Sequence, residues 1–209
     1  MSKNELLLLL GSVGLLTACA NAVTQTQPMH PVQIPPQVIR QIPNQIPDQT
    51  RPWVLVDTNT KTLKVMIGDN TLEIFDNVAF GSSGVGIKNY RGDHKTPVGV
   101  FRVGWVNERS RFNYFIGLDY PNLEYADRAY RQRRIDDSTY YAIRGALEKG
   151  YTPPQDTSLG GSIGIHGLGA GDPRVHTDFN WTDGCVALDN QQIMRLAQWV
   201  EIGTRVVIR

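Results

Sequence analysis

A proline-rich segment between residues 21 and 52 limits where this 209-residue chain can fold. It holds seven of the twelve prolines and seven glutamines, and the tripeptide Gln-Ile-Pro occurs in it three times. Proline lacks a backbone N–H and favours extended polyproline geometry. We therefore predict a tether over residues 19–52 and a folded domain over residues 53–209. At about 3.1 Å per residue an extended tether would reach roughly 100 Å, enough to extend from a membrane to the cell wall. The alternative is a disordered spacer without a required length.

The chain begins with a segment that resembles an export signal. Leu6–Leu16 is apolar but shorter than the roughly 20 residues that span a bilayer, so it fits a signal peptide over residues 1–18. Leu16-Thr-Ala-Cys19 resembles the bacterial lipobox, which implies cleavage before Cys19, acylation of its sulfur and a membrane anchor. The alternative is an ordinary secretory signal without a lipid.

The two cysteines of the chain, Cys19 and Cys185, differ in context. A disulfide between them is possible on counting alone, but acylation of Cys19 would exclude it. Cys185 would then be a single free thiol in an oxidising compartment, where a thiol without a use is rare. By the usual sorting rule for such lipoproteins, Ala20 favours the periplasmic face of the outer membrane.

Charge and hydrophobic periodicity narrow the class of protein. Twenty-one basic and 20 acidic residues give a net charge of +1 without a long charged run, so nothing indicates nucleic acid as a partner. Helical spacing predicts a helix over Asn190–Val200, capped by Asp189 or Asn190 and ended by Gly203. Another helix is predicted around Leu123–Arg134, inside an insertion over residues 107–160. The fold should be mostly β with a few helices, with strands over Trp53–Asp57, Thr62–Ile67, Leu72–Phe80, Val100–Val106 and Arg205–Ile208.

Cys185 stands in a setting that suits a nucleophile. A glycine precedes it and lets the backbone turn sharply. A thiol nucleophile needs a base that takes its proton and N–H groups that hold the developing oxyanion. His166, at the end of a predicted strand, is the natural base. Taken singly, Cys185 would be interpreted as a small buried apolar residue and His166 as a core imidazole.

Together these residues resemble the motif of the L,D-transpeptidase catalytic domain, the YkuD-like family. His166-Gly167 is followed, after residues 168–181, by Thr182-Asp-Gly-Cys185, which fits the family spacing. Lys95-Thr-Pro-Val-Gly-Val-Phe101 looks like the threonine-proline-glycine loop of the family, and Gly203–Ile208 looks like its terminal strand. The resemblance covers residues 53–209 and implies a YkuD-like β-sandwich or barrel.

The resemblance also implies a mechanism that acts on peptidoglycan. Cys185 would attack the carbonyl of diaminopimelate in a stem peptide, release D-alanine and form a thioester, with His166 as general base and acid. The backbone carbonyl of Gly167 would orient the imidazole, and the N–H groups of Gly184 and Cys185 would form the oxyanion hole. No cofactor or metal is implied.

Two departures from the family pattern leave the second step open. Ala187 stands where most relatives have arginine, and Asp119-Tyr-Pro-Asn122 looks more like the branch that includes the enzyme detaching Braun's lipoprotein from peptidoglycan. In that branch water resolves the thioester. The chain is therefore expected to transfer the peptide to an amine, or to hydrolyse it and release a wall-attached lipoprotein, or to bind the wall without catalysis.

Weaker signals concern the surroundings of the thiol. Thr182, Asp183, Tyr120 and His94 are predicted as substrate contacts, although a solvent-exposed loop histidine is the simpler interpretation of His94. A zinc site from His166, Cys185, His176 and a carboxylate can be drawn, but its spacing matches no familiar zinc pattern.

Overall fold

The computed structural model describes residues 50–209 of the chain. The predicted signal peptide, the acylated Cys19 and nearly all of the predicted tether lie outside the described residues. Within residues 50–209, no helix is both long enough and apolar enough to cross a membrane.

The described residues form short strands and four helices. In chain order they are β1 (Trp53–Asp57), β2 (Thr62–Ile67), β3 (Asn70–Phe75), β4 (Val85–Gly86), β5 (Thr96–Pro97), β6 (Gly99–Asn107), β7 (Phe115–Leu118), α1 (Leu123–Arg131), α2 (Asp137–Glu148), β8 (Gly164–His166), α3 (Pro173–Asp178), β9 (Val186–Ala187), α4 (Asn190–Leu196) and β10 (Arg205–Ile208). The prediction of a mostly β fold with a few helices is confirmed.

Eight strands form one sheet in the order β3-β2-β1-β10-β6-β7-β8-β9, and β4 pairs with β5 separately. Within the large sheet β1–β10 and β8–β9 run parallel and the other pairs antiparallel. The edge at β9 is covered, because Ala79 and Ala187 exchange both backbone hydrogen bonds, at 3.1 and 2.8 Å. The segment after β3 therefore closes the sheet beside the residue that precedes β9, which is Cys185.

The main core lies against this sheet and holds α4 in place. It contains buried side chains from all eight strands of the sheet, among them Val54, Leu63, Phe101, Ile116, Ile165 and Val206, with Ile193 and Leu196 from α4. Asp189 caps α4 in a capping box. Its carboxylate accepts from the backbone N–H groups of Gln191 and Gln192, and the side-chain oxygen of Gln192 accepts from the backbone N–H of Asp189. The helix directly after β9 is thus fixed at its first turn.

Helices α1 and α2 pack on each other over a second, smaller core. Its buried members are Ala126, Ala129, Ile135, Tyr140, Ile143 and Leu159. Asn122 and Asp136 cap the two helices by accepting from a backbone N–H three residues ahead. Only Tyr140 and Ile143 of α2 are buried, and so narrow an apolar face explains why the sequence did not predict this helix.

Several predicted boundaries shift in the structure. Strand β3 ends at Phe75 instead of residue 80, because Asn77 takes a left-handed φ of 61° and turns the chain toward β9. Helix α4 ends at Leu196, and Gly203 lies further on, in the turn before β10, where its N–H bonds to the Val103 carbonyl. Strand β7 lies inside residues 107–160, so this segment contributes a central strand as well as α1 and α2.

Candidate active site

The pairing of β8 with β9 places Cys185 and His166 on neighbouring strands. His166 and Ala187 are partners in the parallel ladder, and Cys185 lies two residues before Ala187. Partners in a ladder point to the same face of a sheet, and so do residues two apart along a strand. The thiol and the imidazole therefore project to one face although 18 residues separate them in the chain.

A tight turn before β9 fixes the backbone of Cys185. The hydroxyl of Thr182 donates to the Cys185 carbonyl at 2.7 Å and accepts from the Gly184 N–H at 3.1 Å. The hydroxyl of Thr96 also donates to the Cys185 carbonyl, at 3.3 Å. Gly184 has a φ of 132°, and a Cβ built there would stand 2.7 Å from the Lys95 carbonyl oxygen. Only glycine fits this position, where two loops meet beneath the thiol.

These contacts change two of the roles implied for the turn. The Gly184 N–H is engaged by Thr182, so the backbone N–H of Cys185 remains as the implied oxyanion donor. The side chain of Thr182 is buried, with 3% exposure, and it shapes the turn instead of facing a ligand.

His166 is held as a neutral base in an aromatic pocket. Its Nδ1 lies 2.7 Å from the Gly167 carbonyl oxygen, the contact that the resemblance implied. A carbonyl only accepts, so Nδ1 carries the proton and Nε2 keeps its lone pair. The ring stacks on Phe112 at 4.1 Å and Phe115 at 5.9 Å, and Trp181 meets it edge-on at 5.7 Å. Burial lowers the pKa of His166 to about 4, which outweighs the opposing effect of the Gly167 contact.

The thiol of Cys185 is protonated in the resting site. It is partly exposed and donates to the Ser162 carbonyl oxygen at 3.4 Å, rather than to the ring of His166. Burial raises the pKa of Cys185 to about 11, and the charge of Asp183 raises it further, while the N–H of Gly164 and the charge of Lys88 act in the opposite direction. The pair is therefore a neutral thiol beside a neutral imidazole.

A buried ion pair supports the loop before the thiol. Lys88 is only 2% exposed and forms a short salt bridge with Asp93. The Asp93 carboxylate also accepts from the backbone N–H groups of Asn89, at 2.7 Å, and Lys95, at 3.1 Å. The pair thus orders the loop that carries Thr96. It could not be predicted from the sequence, because charged residues this close in sequence usually form a solvated surface.

Of the other predicted substrate contacts, His94 and Asp183 lie next to each other, and Tyr120 lies away from the site. His94 and Asp183 form a pair, with Nδ1 2.8 Å from Oδ1. Tyr120 does not line the site, because it is fully buried against Phe101 and Tyr125 and its hydroxyl donates to the Leu159 carbonyl.

His176 belongs to the wall of the site and not to a metal centre. It is 4% exposed, and its Nδ1 accepts from the indole N–H of Trp181 at 3.3 Å. Among residues 50–209, no group of three or more histidine, cysteine or carboxylate side chains is close enough to hold a metal ion.

Two cavities lie beside the aromatic rings around His166 and share Arg111 and Phe112. One, of about 440 Å³, includes Ser162 in its lining together with Trp105, Arg109 and Phe115. The other, of about 390 Å³, is mainly apolar and is lined by Leu168, Val175, Trp181 and others. A larger cavity of about 620 Å³ lies away from the pair, between Trp53, Arg102, Trp199 and Arg205. A substrate therefore has room on two sides of the Phe112 ring.

Comparison with known proteins identifies one family and several similar solved structures. The model of the L,D-transpeptidase catalytic domain (YkuD) matches residues 51–208. No curated protein matches the chain. Among solved structures, the helical cell shape determining protein Pgp2 from Campylobacter jejuni is 22% identical with a TM-score of 0.50, and the match covers 78% of this chain and 51% of that one.

Two further solved structures are less similar. Bd1075 from Bdellovibrio bacteriovorus is 20% identical with a TM-score of 0.48, and the match covers 77% of this chain and 48% of that one. The L,D-transpeptidase C442S mutant from Enterococcus faecium is 15% identical with a TM-score of 0.44, covering 76% and 50%. The chain spans about half the length of the solved structures that it matches, and at these identities the likeness concerns the fold alone.

Thr182→Val should destabilise the domain by about 1–3 kcal/mol. The valine removes the donor to the Cys185 carbonyl and leaves the buried Gly184 N–H without an acceptor. Thr182→Ser keeps the hydroxyl and is the matched control. Chemical denaturation measures the free energy of unfolding of both, and equal stabilities would show that the hydroxyl does not hold the turn.

His166 should make the stability of the domain fall as the pH falls from about 6.5 to about 4. The folded state keeps this histidine neutral in a range where the unfolded chain binds a proton, so acid favours unfolding. The full effect is about 3 kcal/mol. Denaturation at several pH values should give a flatter pH profile for His166→Asn, and identical profiles for both chains would contradict a buried neutral imidazole.

Proposed function

The chain belongs to the L,D-transpeptidase catalytic domain family, and we propose that it is an envelope enzyme that forms a thioester on Cys185 from a peptidoglycan stem peptide. The observation that carries the proposal is the Nδ1 contact of His166 with the Gly167 carbonyl, which leaves Nε2 as a free base on the face that Cys185 shares. The nucleophile, its base and the orienting group of the base are thus together.

In the first step the proton moves as the sulfur attacks. Burial raises the pKa of the Cys185 thiol and lowers that of the His166 imidazole, so a proton transfer completed before the attack is unfavourable. Attack on the diaminopimelate carbonyl with simultaneous transfer to Nε2 avoids a separate ion pair. The Cys185 N–H holds the oxyanion, and the imidazolium then protonates the leaving D-alanine.

In the second step we propose that an amine resolves the thioester. His166, neutral again after the leaving group has taken its proton, serves as base for the acceptor, and a peptide bond replaces the thioester. The product is a cross-linked or exchanged stem peptide.

Hydrolysis of the thioester is the second candidate function, and Ala187 is the observation that favours it. This residue is fully buried and bonds to Ala79 through both backbone groups, so no charged side chain extends from it toward the substrate. Without such a side chain to hold a donor or acceptor, water competes more easily for the acyl group. The chain would then act as a carboxypeptidase or as an amidase that releases a wall-attached lipoprotein.

The N-terminal signals supply the proposed location. Acylation of Cys19 would anchor the chain to the periplasmic face of the outer membrane, and the tether would let the domain reach the wall. Peptidoglycan stem peptides and the membrane are the proposed partners, without nucleic acid.

Incubation of the full chain with disaccharide-tetrapeptides tests the proposal. We expect cross-linked dimers among the products in mass spectrometry and an adduct on Cys185 in the intact protein. Cys185→Ala should abolish both, and His166→Asn should slow them by about 100-fold or more because it removes the general base.

The other outcomes separate the alternatives. Cys19→Ser should leave the reaction unchanged and assigns any adduct to Cys185. Shortened monomers without dimers would assign the chain to hydrolysis. If neither a product nor an adduct forms, catalysis is overturned, and the chain would be a wall-binding protein.

A further inference from the structure

We propose that His94 and Asp183 form a histidine–carboxylate pair that receives the primary ammonium group of the acceptor and removes its proton. This inference rests on the proposed function, because it concerns the second step at the same thiol. It assigns the acceptor chemistry to two residues that the first step does not use.

The position of Asp183 is the first observation. It lies two residues before the nucleophile in the turn that Thr182 fixes, and 92% of its side chain is exposed. Its charge acts on the thiol, because it raises the pKa of Cys185. A solvent-exposed carboxylate that interacts electrostatically with the sulfur can hold a cation beside the thioester. The aromatic rings around His166 carry no charged group that could bind a cation.

The contact between the two side chains is the second observation. Nδ1 of His94 lies 2.8 Å from Oδ1 of Asp183. A carboxylate accepts, so Nδ1 carries a proton, and in the neutral ring Nε2 keeps the lone pair. Asp183 therefore stands to His94 as the Gly167 carbonyl stands to His166: each fixes the tautomer that leaves Nε2 as the base.

The backbone of His94 is the third observation. This residue adopts a φ of 54°, in the left-handed region that histidine enters more often than most other residues. The conformation is enforced by the surroundings, since the His94 carbonyl accepts from the Ser83 N–H at 3.1 Å and a Cβ on Gly81 would stand 2.2 Å from its oxygen. The loop thus holds the imidazole of His94 beside the carboxylate of Asp183.

The proton balance of the step is complete. The acceptor binds as R–NH3+ on Asp183, and Nε2 of His94 takes one proton. The freed lone pair attacks the thioester carbonyl, the C–N bond forms and the C–S bond breaks. The second proton passes from the nitrogen through His166 to the sulfur of Cys185, and the proton on His94 leaves to solvent.

A competition between nucleophiles tests the assignment. The full chain is given a disaccharide-tetrapeptide donor with either a disaccharide-tripeptide, whose amine is an ammonium at neutral pH and which has no D-alanine to release, or hydroxylamine, which is uncharged there. Asp183→Asn and His94→Asn should form the thioester no more slowly than the unaltered chain. Cross-linked product should fall by about tenfold or more relative to hydrolysed product, while hydroxamate forms as before.

Control variants keep the result interpretable. Asparagine tolerates the left-handed conformation of residue 94, and Asp183→Glu should restore part of the cross-linking. Asp69→Asn removes an exposed carboxylate from the β2–β3 turn and should behave as the unaltered chain.

Four results would overturn the inference. They are an unchanged ratio of cross-linked to hydrolysed product in the variants, an equal loss with hydroxylamine, a parallel loss of thioester formation, or an unaltered chain that only hydrolyses. The first three leave thioester catalysis intact. An unaltered chain without any adduct on Cys185 would overturn the proposed function together with the inference.

Discussion

The parallel pairing of β8 with β9 is the constraint on which the candidate site depends. It sets a thiol and an imidazole side by side without any direct hydrogen bond between them. Every other feature of the site acts through this pairing. The Ala79 bonds cover the outer side of β9, the capping box of α4 fixes the chain after it, and Thr182 fixes the chain before it.

Burial then decides the charge of the pair. Three aromatic rings exclude water from His166, and both members are more stable uncharged than ionised. A resting thiolate would react with many electrophiles, whereas a neutral thiol reacts once a bound carbonyl develops an oxyanion at the Cys185 N–H. The same burial disfavours binding of a cationic acceptor at His166. The exposed His94–Asp183 pair is therefore the proposed binding site for the ammonium group.

The sequence predicted the parts of the molecule that depend on local pattern. Alternation predicted β1, β2, β6 and β10, and the His-Gly and Gly-Cys motifs predicted the contact of His166 with Gly167. It did not reveal the rings of Phe112 and Phe115 on the imidazole, because Phe112 lies in the turn before β7 and its position depends on the path of that turn. Nor did it show that the Thr182 hydroxyl takes the Gly184 N–H, which depends on a single rotamer. Tyr120 was assigned to the cleft from its place in a motif, but its ring completes the core.

The ionisation of Cys185 tests the central claim of a neutral resting pair most directly. Carbon NMR of the cysteine β-carbon in the Cys19→Ser chain follows this single thiol as the pH changes. We expect the chemical shift of a thiol up to at least about pH 9, with ionisation only near a pKa of about 11. A thiolate shift at neutral pH, accompanied by a protonated His166, would contradict it.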